Sequence, residues 1–348
     1  MRRETDPLAA RNNRFPDEFT PLSPKRRWSL RGRALGNLLR MGHCAPSVMR
    51  TCLQICGVDE DWPVKLAAGL PGGIGDTGGE CGGITSPLLL LGMRYGLGSP
   101  EDGLPLVFYK GHDHLRGFLE RNGSPLCREI RGDPYRLRKC IKAVCWAPEI
   151  ALAAVARDSR DAITGEQREA YRRLYSYLSD AGFHCSHEVL RRLSPGIPLS
   201  GEILDAASGF IGGTLFKGMT CSALAAGVMA LGFGMHEFED SLPRVVRMIV
   251  LMKTSGRSFD DRINKFNVIM NRGKRLSLRF AEEFGDTQCR ALTGCDFSSV
   301  AGVSRYIETG ALDRCRAISR KVAEEVQGMM SDQTRPKGEM PGNVRKDR

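Results

Sequence analysis

A stretch of this chain recurs within it. His43-Cys44-Ala45-Pro46-Ser47-Val48-Met49-Arg50 returns as His184-Cys185-Ser186-His187-Glu188-Val189-Leu190-Arg191, an offset of 141. Gly69, Gly72, Gly73, Gly78, Cys81, Leu91 and Gly92 then fall on Gly209, Gly212, Gly213, Gly218, Cys221, Leu231 and Gly232, an offset of 140. Further on, Cys127-Arg128 with Gly132 matches Cys289-Arg290 with Gly294, and Lys139-Cys140 matches Arg314-Cys315, with insertions in the second copy. Self-similarity at a fixed offset decides architecture before any local pattern does, because each copy must adopt the same supersecondary unit. The chain is therefore read as two diverged copies of one four-cysteine unit, over 41–146 and 184–330.

Each copy has a helical pattern. Val48, Cys52 and Ile55 share a face after Cys44, and Val189 and Leu193 do so after Cys185. A Gly-rich loop leads to the second cysteine and an apolar helix, Thr85 to Tyr95 in copy one and Ser222 to Phe233 in copy two. Asp260 to Phe284 reads as a long amphipathic helix with a weak spot at Gly273. Residues 147–183 read as a helical connector, with Thr164 and Gln167 as a capping box and Gly182 as the stop. No segment alternates as a strand would. The expected fold is all-α: two homologous helical units in tandem with Gly-rich loops, related by a pseudo-twofold axis. Residues 1–40 are expected to be a basic, partly disordered segment ending in a helix, and 331–348 a disordered tail.

The net charge of +11 would suggest nucleic acid if it lay on the body of the protein. Residues 1–40 hold 10 Lys and Arg against 4 Asp and Glu, and 331–348 hold 5 against 3, which leaves only +3 between them. No nucleic-acid partner is expected. No secretory h-region follows the basic start, and the longest apolar run, Cys221 to Met235, is shorter than the roughly 20 residues that span a bilayer. The expectation is a cytoplasmic protein without membrane insertion, in a reducing compartment where clustered cysteines point to redox or metal chemistry rather than structural bridges.

Eight of the 12 cysteines are matched between copies: Cys44, Cys81, Cys127 and Cys140 with Cys185, Cys221, Cys289 and Cys315. Cys81 and Cys221 follow the Gly-rich turn and open a helix, where unpaired N–H groups favour a thiolate, which makes them the best reactive candidates. His43 and His184 each precede a cysteine and could lower its pKa, ligate a cofactor or simply cap a helix. His112 and His114 are expected on a solvated helix face. Cys52, Cys56, Cys145 and Cys295 are expected to be core or incidental. The absence of C-x-x-C removes the usual thioredoxin and zinc-ribbon signatures.

The cysteine order, with Met219-Thr220-Cys221-Ser222-Ala223-Leu224-Ala225-Ala226-Gly227 and Phe284-Gly285-Asp286-Thr287-Gln288-Cys289-Arg290, resembles the C_GCAxxG_C_C family of redox-active proteins in both copies. Glu80-Cys81-Gly82-Gly83 and Thr220-Cys221-Ser222-Ala223 depart from the literal motif but keep its cysteine. The resemblance implies a redox framework with no fixed substrate. A fainter similarity to split-Soret cytochromes brings in haem, which without C-x-x-C-H could be held only by ligands such as His43 or His184.

Three classes follow. In the first, Cys44 with Cys81 and Cys185 with Cys221 exchange disulfides with a small thiol or a partner protein. In the second, the same cysteines hold iron–sulfur, zinc or another metal. In the third, they only pack within a helical scaffold. A homodimer is compatible with each.

Overall fold

The computed structural model describes residues 23–98, 102–132, 137–234, 241–255 and 267–334. The expectations for 1–22, for 260–266 of the long helix and for 335–348 lie outside these. The helices are α1 (Pro24–Met41), α2 (Cys44–Cys56), α3 (Trp62–Ala67), α4 (Gly82–Tyr95), α5 (Leu106–Asn122), α6 (Cys127–Arg131), α7 (Leu137–Ala156) and α8 (Gly165–Asp180). They continue as α9 (Cys185–Leu193), α10 (Gly201–Ala206), α11 (Ser222–Gly234), α12 (Leu242–Ser255), α13 (Val268–Phe284), α14 (Cys289–Thr293), α15 (Val300–Glu308) and α16 (Ala311–Thr334). Among the described residues there is no strand, and two isolated antiparallel bridges, Glu80 with Leu126 and Thr220 with Gln288, stand at corresponding places in the two copies. No helix of the described residues is long and apolar enough to cross a membrane.

Local chemistry fixes the ends of the flanking helices. Ser23 caps α1 ahead of Pro24, and Gly42 ends it in the left-handed conformation. The Thr164–Gln167 capping box opens α8, the separate helix of the connector, which is followed by Gly182 at φ +61°. The connector also contains the end of α7, which runs unbroken through position 146, and a short 3-10 turn. At the C-terminal end, α16 continues to Thr334, past the start of the expected tail.

The centre is made by α4 and α11, which are buried almost all round, as helices without a polar face must be. Each leaves its own copy to meet the other: α4 lies on α10, and α11 lies on α3. A Cβ on Gly92 of α4 would stand 2.4 Å from the carbonyl oxygens of Asp205 and Ala206, and one on Gly232 of α11 would stand 2.6 Å from that of Lys65. These glycines occupy matched positions, so the two close backbone approaches are one contact made twice. Such reciprocity is the mark of a twofold interface, here within one chain.

Matched residues also meet on the axis. Glu80 is fully buried, and its carboxylate accepts hydrogen bonds from Thr214 and, at 2.5 Å, from its own counterpart Thr220. Copy one's loop reaches α13, where a Cβ on Gly75 would stand 2.8 Å from the oxygen of Gly273. The glycine read as a weak spot is thus a contact point inside an unbroken helix. Asp76 pairs with Arg131 at 3.1 Å and with Lys274 of α13 at 3.2 Å. Glu80→Ala strands two buried hydroxyls and opens a cavity on the axis. It is expected to cost about 2 to 4 kcal/mol in urea unfolding, and Glu80→Gln, which keeps the shape and one acceptor, distinctly less.

Candidate functional site: two four-thiol clusters

Both Gly-rich loops form a left-handed turn. Residues 72–76 have φ of +75, +84, +59, +61 and +57°, and residues 212–216 have +58, +68, +59, +55 and +58°. Their hydrogen bonds repeat as well: Gly75 N–H donates to Gly69 as Leu215 does to Gly209, and Gly78 N–H donates to Gly72 as Gly218 does to Gly212. Non-glycine residues lose roughly 1–2 kcal/mol each in this conformation. Copy one places two there, Ile74 and Asp76, and copy two places three in succession, Thr214, Leu215 and Phe216. Backbone strain of this kind persists only where the surroundings over-determine it, and it gathers at functional sites.

What the turn does is bring amide groups to a sulfur. The Cys44 thiol lies within hydrogen-bonding reach of the N–H groups of Gly72, Ala45 and Gly82, and Cys185 lies within reach of Gly212 and its own. Cys44 Sγ sits so close to the start of α4 that a Cβ on Gly82 would be 2.7 Å from it. The bridges then deliver the second and third cysteines together. Cys81 N–H donates to Pro125 at 2.9 Å and Cys127 N–H to Gly79 at 2.6 Å; Cys221 N–H donates to Thr287 at 2.8 Å and Cys289 N–H to Met219 at 2.6 Å. The fourth cysteine comes from the first turns of α7 and α16. Within each copy the four thiols interact electrostatically: Cys44, Cys81, Cys127 and Cys140 in one, Cys185, Cys221, Cys289 and Cys315 in the other.

All are free thiols, with Cys44, Cys140 and Cys315 half-buried and the other five buried. Burial pushes Cys44 up to about 11, with the neighbouring Cys140 adding to the rise and the three amides opposing it. Burial drives Cys81 well above the ordinary thiol range and Cys221 up to about 12. Their helix starts do supply amides, from Gly83 for Cys81 and from Leu224 and Ala223 for Cys221, but desolvation outweighs them. Cys315 is raised by burial and eased by the Tyr306 hydroxyl, which donates to its sulfur at 3.5 Å. The resting clusters are thiols, and the best-served sulfur in copy one is Cys44.

The histidines are structural in their bonding. His43 and His184 occupy the N-cap positions of α2 and α9. His184 Nδ1 accepts from the His187 N–H at 3.4 Å, and its Nε2 faces the Ser208 carbonyl at 3.2 Å. Burial lowers His43 to about 4 and His184 well below the usual imidazole range, so neither lends a positive charge to the adjacent cysteine at neutral pH. His112 and His114 are not on a solvated face. Both are buried, His112 Nε2 at 3.1 Å from the Leu215 carbonyl and His114 Nε2 at 3.0 Å from that of Gly83. One supports copy two's left-handed turn, the other the start of α4, because α5 lies between α4 and α7 with that face inward.

Cys52 and Cys56 pack in the core face of α2, and Cys145 is half-buried on α7. Cys295, read as core or incidental, is buried and interacts with Cys289 and Cys315. Tyr306, outside every repeated motif, escaped the sequence reading altogether, and Glu80 entered it only as part of a departure from the motif, without a role. Among the described residues no group of three or more His, Cys, Asp or Glu is arranged to hold a metal ion.

The model of the family described as "Putative redox-active protein (C_GCAxxG_C_C)" matches residues 42–153 and 183–329. No curated protein and no solved structure matches the chain.

Proposed function

The chain belongs to the C_GCAxxG_C_C family in both of its halves, and we propose that it exchanges disulfides through two four-thiol centres, one per copy. The observation that carries this reading is the gathering of four thiols in each copy around a first cysteine held against the amide of a strained left-handed turn. N–H groups aimed at a sulfur favour its anion, so the thiolate forms at Cys44 when the site opens and relieves the desolvation that opposes these amides, or when a base takes its proton. In copy one the Cys44 thiolate attacks one sulfur of a partner disulfide, forming a mixed disulfide and expelling the other sulfur as a thiolate. Cys81, once deprotonated, attacks Cys44 Sγ, forms the Cys44–Cys81 bond and releases the second partner thiol. The partner disulfide is reduced by two electrons and the cysteine pair oxidised by two. Cys185 and Cys221 carry the same steps in copy two, and the third and fourth cysteines receive the disulfide onward.

The test starts from reduced protein purified without oxygen. A small disulfide such as oxidised glutathione is expected to remove thiols reversibly and in pairs, and peptide mapping to find Cys44–Cys81 and Cys185–Cys221. Cys81→Ser is expected to leave a mixed disulfide stranded on Cys44, and Cys44→Ser to silence copy one. Because Cys44 is held up near 11, its alkylation is expected to quicken about tenfold per pH unit from 7 to about 10. Thiols that never pair on oxidation, or protein that retains about one metal ion per four matched thiols, would overturn the reading.

A further inference from the structure

Eight large apolar side chains are exposed among the described residues, and six of them lie on two neighbouring helices: Trp28, Leu35 and Leu39 on α1, and Leu242, Val246 and Val250 on α12. Trp28 is the most open, at 73%. The spacings, seven and four on α1 and four and four on α12, make a stripe on each helix. On α1 it lies opposite the buried Leu30, Ala34 and Met41. The helices touch where Arg244 donates to the Met41 carbonyl at 2.8 Å and where Val245 and Met248 cover Gly42.

Charge distinguishes this face from ordinary surface. The sequence of α1 holds six Lys and Arg and no Asp or Glu, and that of α12 holds three and none. Lys25, Arg26, Arg33 and Arg40 are exposed beside the α1 stripe. The repeat supplies an internal comparison, since α8 stands before copy two as α1 stands before copy one. α8 mixes Glu166, Glu169 and Asp180 with its arginines and carries no exposed large apolar side chain. Among the described residues α12 has no counterpart: the link from α4 to α5 covers 96–105, whereas that from α11 to α13 covers 235–267. The apolar stripes and the unbalanced cations of this face are thus features the two copies do not share.

We infer that α1 and α12 form a docking face for an anionic lipid bilayer, lying on it without crossing. Apolar stripes flanked by cations suit a headgroup layer, where the side chains enter the acyl boundary and the cations meet lipid phosphates. A nucleic acid would engage the cations and leave the aliphatic stripes in water. A second copy of the chain would set cations against cations.

The full chain is to be sedimented with phosphatidylcholine vesicles, with and without roughly one-third phosphatidylglycerol. It is expected to bind the anionic vesicles alone, about tenfold more weakly in about 0.5 M salt. A blue shift in tryptophan emission on binding is expected to disappear in Trp28→Phe. Leu35→Ser with Leu39→Ser, and separately Arg33→Gln with Arg40→Gln, are each expected to weaken binding about tenfold. These positions are exposed, and an unchanged circular dichroism spectrum verifies that the variants fold. Absence of binding to anionic vesicles overturns the inference, as does binding that both double variants leave intact. So does a stripe whose loss releases only nucleic acid or a homodimer.

Discussion

Acidification from pH 7 to pH 4 is expected to unfold the protein in one cooperative transition. Five of its six histidines, His43, His112, His114, His184 and His187, are buried. Burial is the leading cause in each case, and it lowers His43, His114 and His187 to about 4 and His112 to about 3. An imidazole with a folded-state pKa below its unfolded value of 6.5 contributes stability that is fully present above 6.5. That contribution is lost as pH falls toward the folded value, because the unfolded chain then binds the proton and the folded one does not. A depression of this size corresponds to about 3 kcal/mol per histidine. Even half of that, summed over these four sites, rivals the roughly 5–15 kcal/mol that holds a typical domain together, and His184, also lowered by burial, acts in the same direction. The measurement is circular dichroism and tryptophan emission against pH. His114→Leu should move the midpoint to lower pH, and a native signal retained at pH 4 would refute the account. The buried thiols act with the opposite sign: raised above 9, as Cys44 is to about 11 and Cys221 to about 12, they contribute stability below pH 9 that is lost as the pH climbs through those values. The reduced protein should be most stable between about pH 7 and 9.

The same histidines show where a linear reading stops. The duplication, the start and stop of α8, and the apolar α4 and α11 were legible because each rests on neighbours in sequence: a cap three residues away, a run of apolar residues. Of α1 only its end was read, and its start at Ser23 was not. His-Asp-His at 112–114 reads as a polar surface on that basis. Its burial depends on partners such as Leu215, over 100 positions away, a pairing that no local period encodes. Glu80 looks like a departure from a motif until the axis brings Thr220 to it. The left-handed turns were half legible. Glycines at 72, 73 and 75 advertise freedom of φ, but copy two places Thr214, Leu215 and Phe216 in the same conformation, residue types that on sequence grounds argue against it. There the backbone is fixed from outside, by the burial of Leu215 and by Phe216 stacked 5.0 Å from Phe108 of copy one. The cysteine count was visible; which sulfur the backbone serves was not, because the amides that reach Cys44 come from Gly72 and Gly82 as well as Ala45 beside it.

If the left-handed turn is what assembles each centre, a single methyl group in it should dismantle that centre. Gly73 has φ +84°, and a Cβ there would stand 2.4 Å from the backbone nitrogen of Gly79 and 2.6 Å from its oxygen. Gly213 has φ +68°, and its Cβ would stand 2.6 Å from Cys289 Cβ and 2.7 Å from the backbone nitrogen of Met219. In both places the obstacle includes main chain that also bonds the third cysteine, so it cannot swing aside as a flexible side chain would. Gly73→Ala and Gly213→Ala are each expected to cost on the order of 3 kcal/mol or more in denaturant unfolding, with the strain of the turn added to the clash. Gly123→Ala separates these causes: its φ is +75°, but nothing lies within 4 Å, so only the conformational cost of about 1 kcal/mol should appear. Thiol pairing should divide the same way, lost in copy one for Gly73→Ala, in copy two for Gly213→Ala, and retained in both for Gly123→Ala. Because the copies share an axis, a folded Gly73→Ala protein that still pairs Cys185 with Cys221 would show two separately working centres. Loss of pairing in both copies, with the fold intact, would mean that the contact of Glu80 with Thr214 and Thr220 couples the centres.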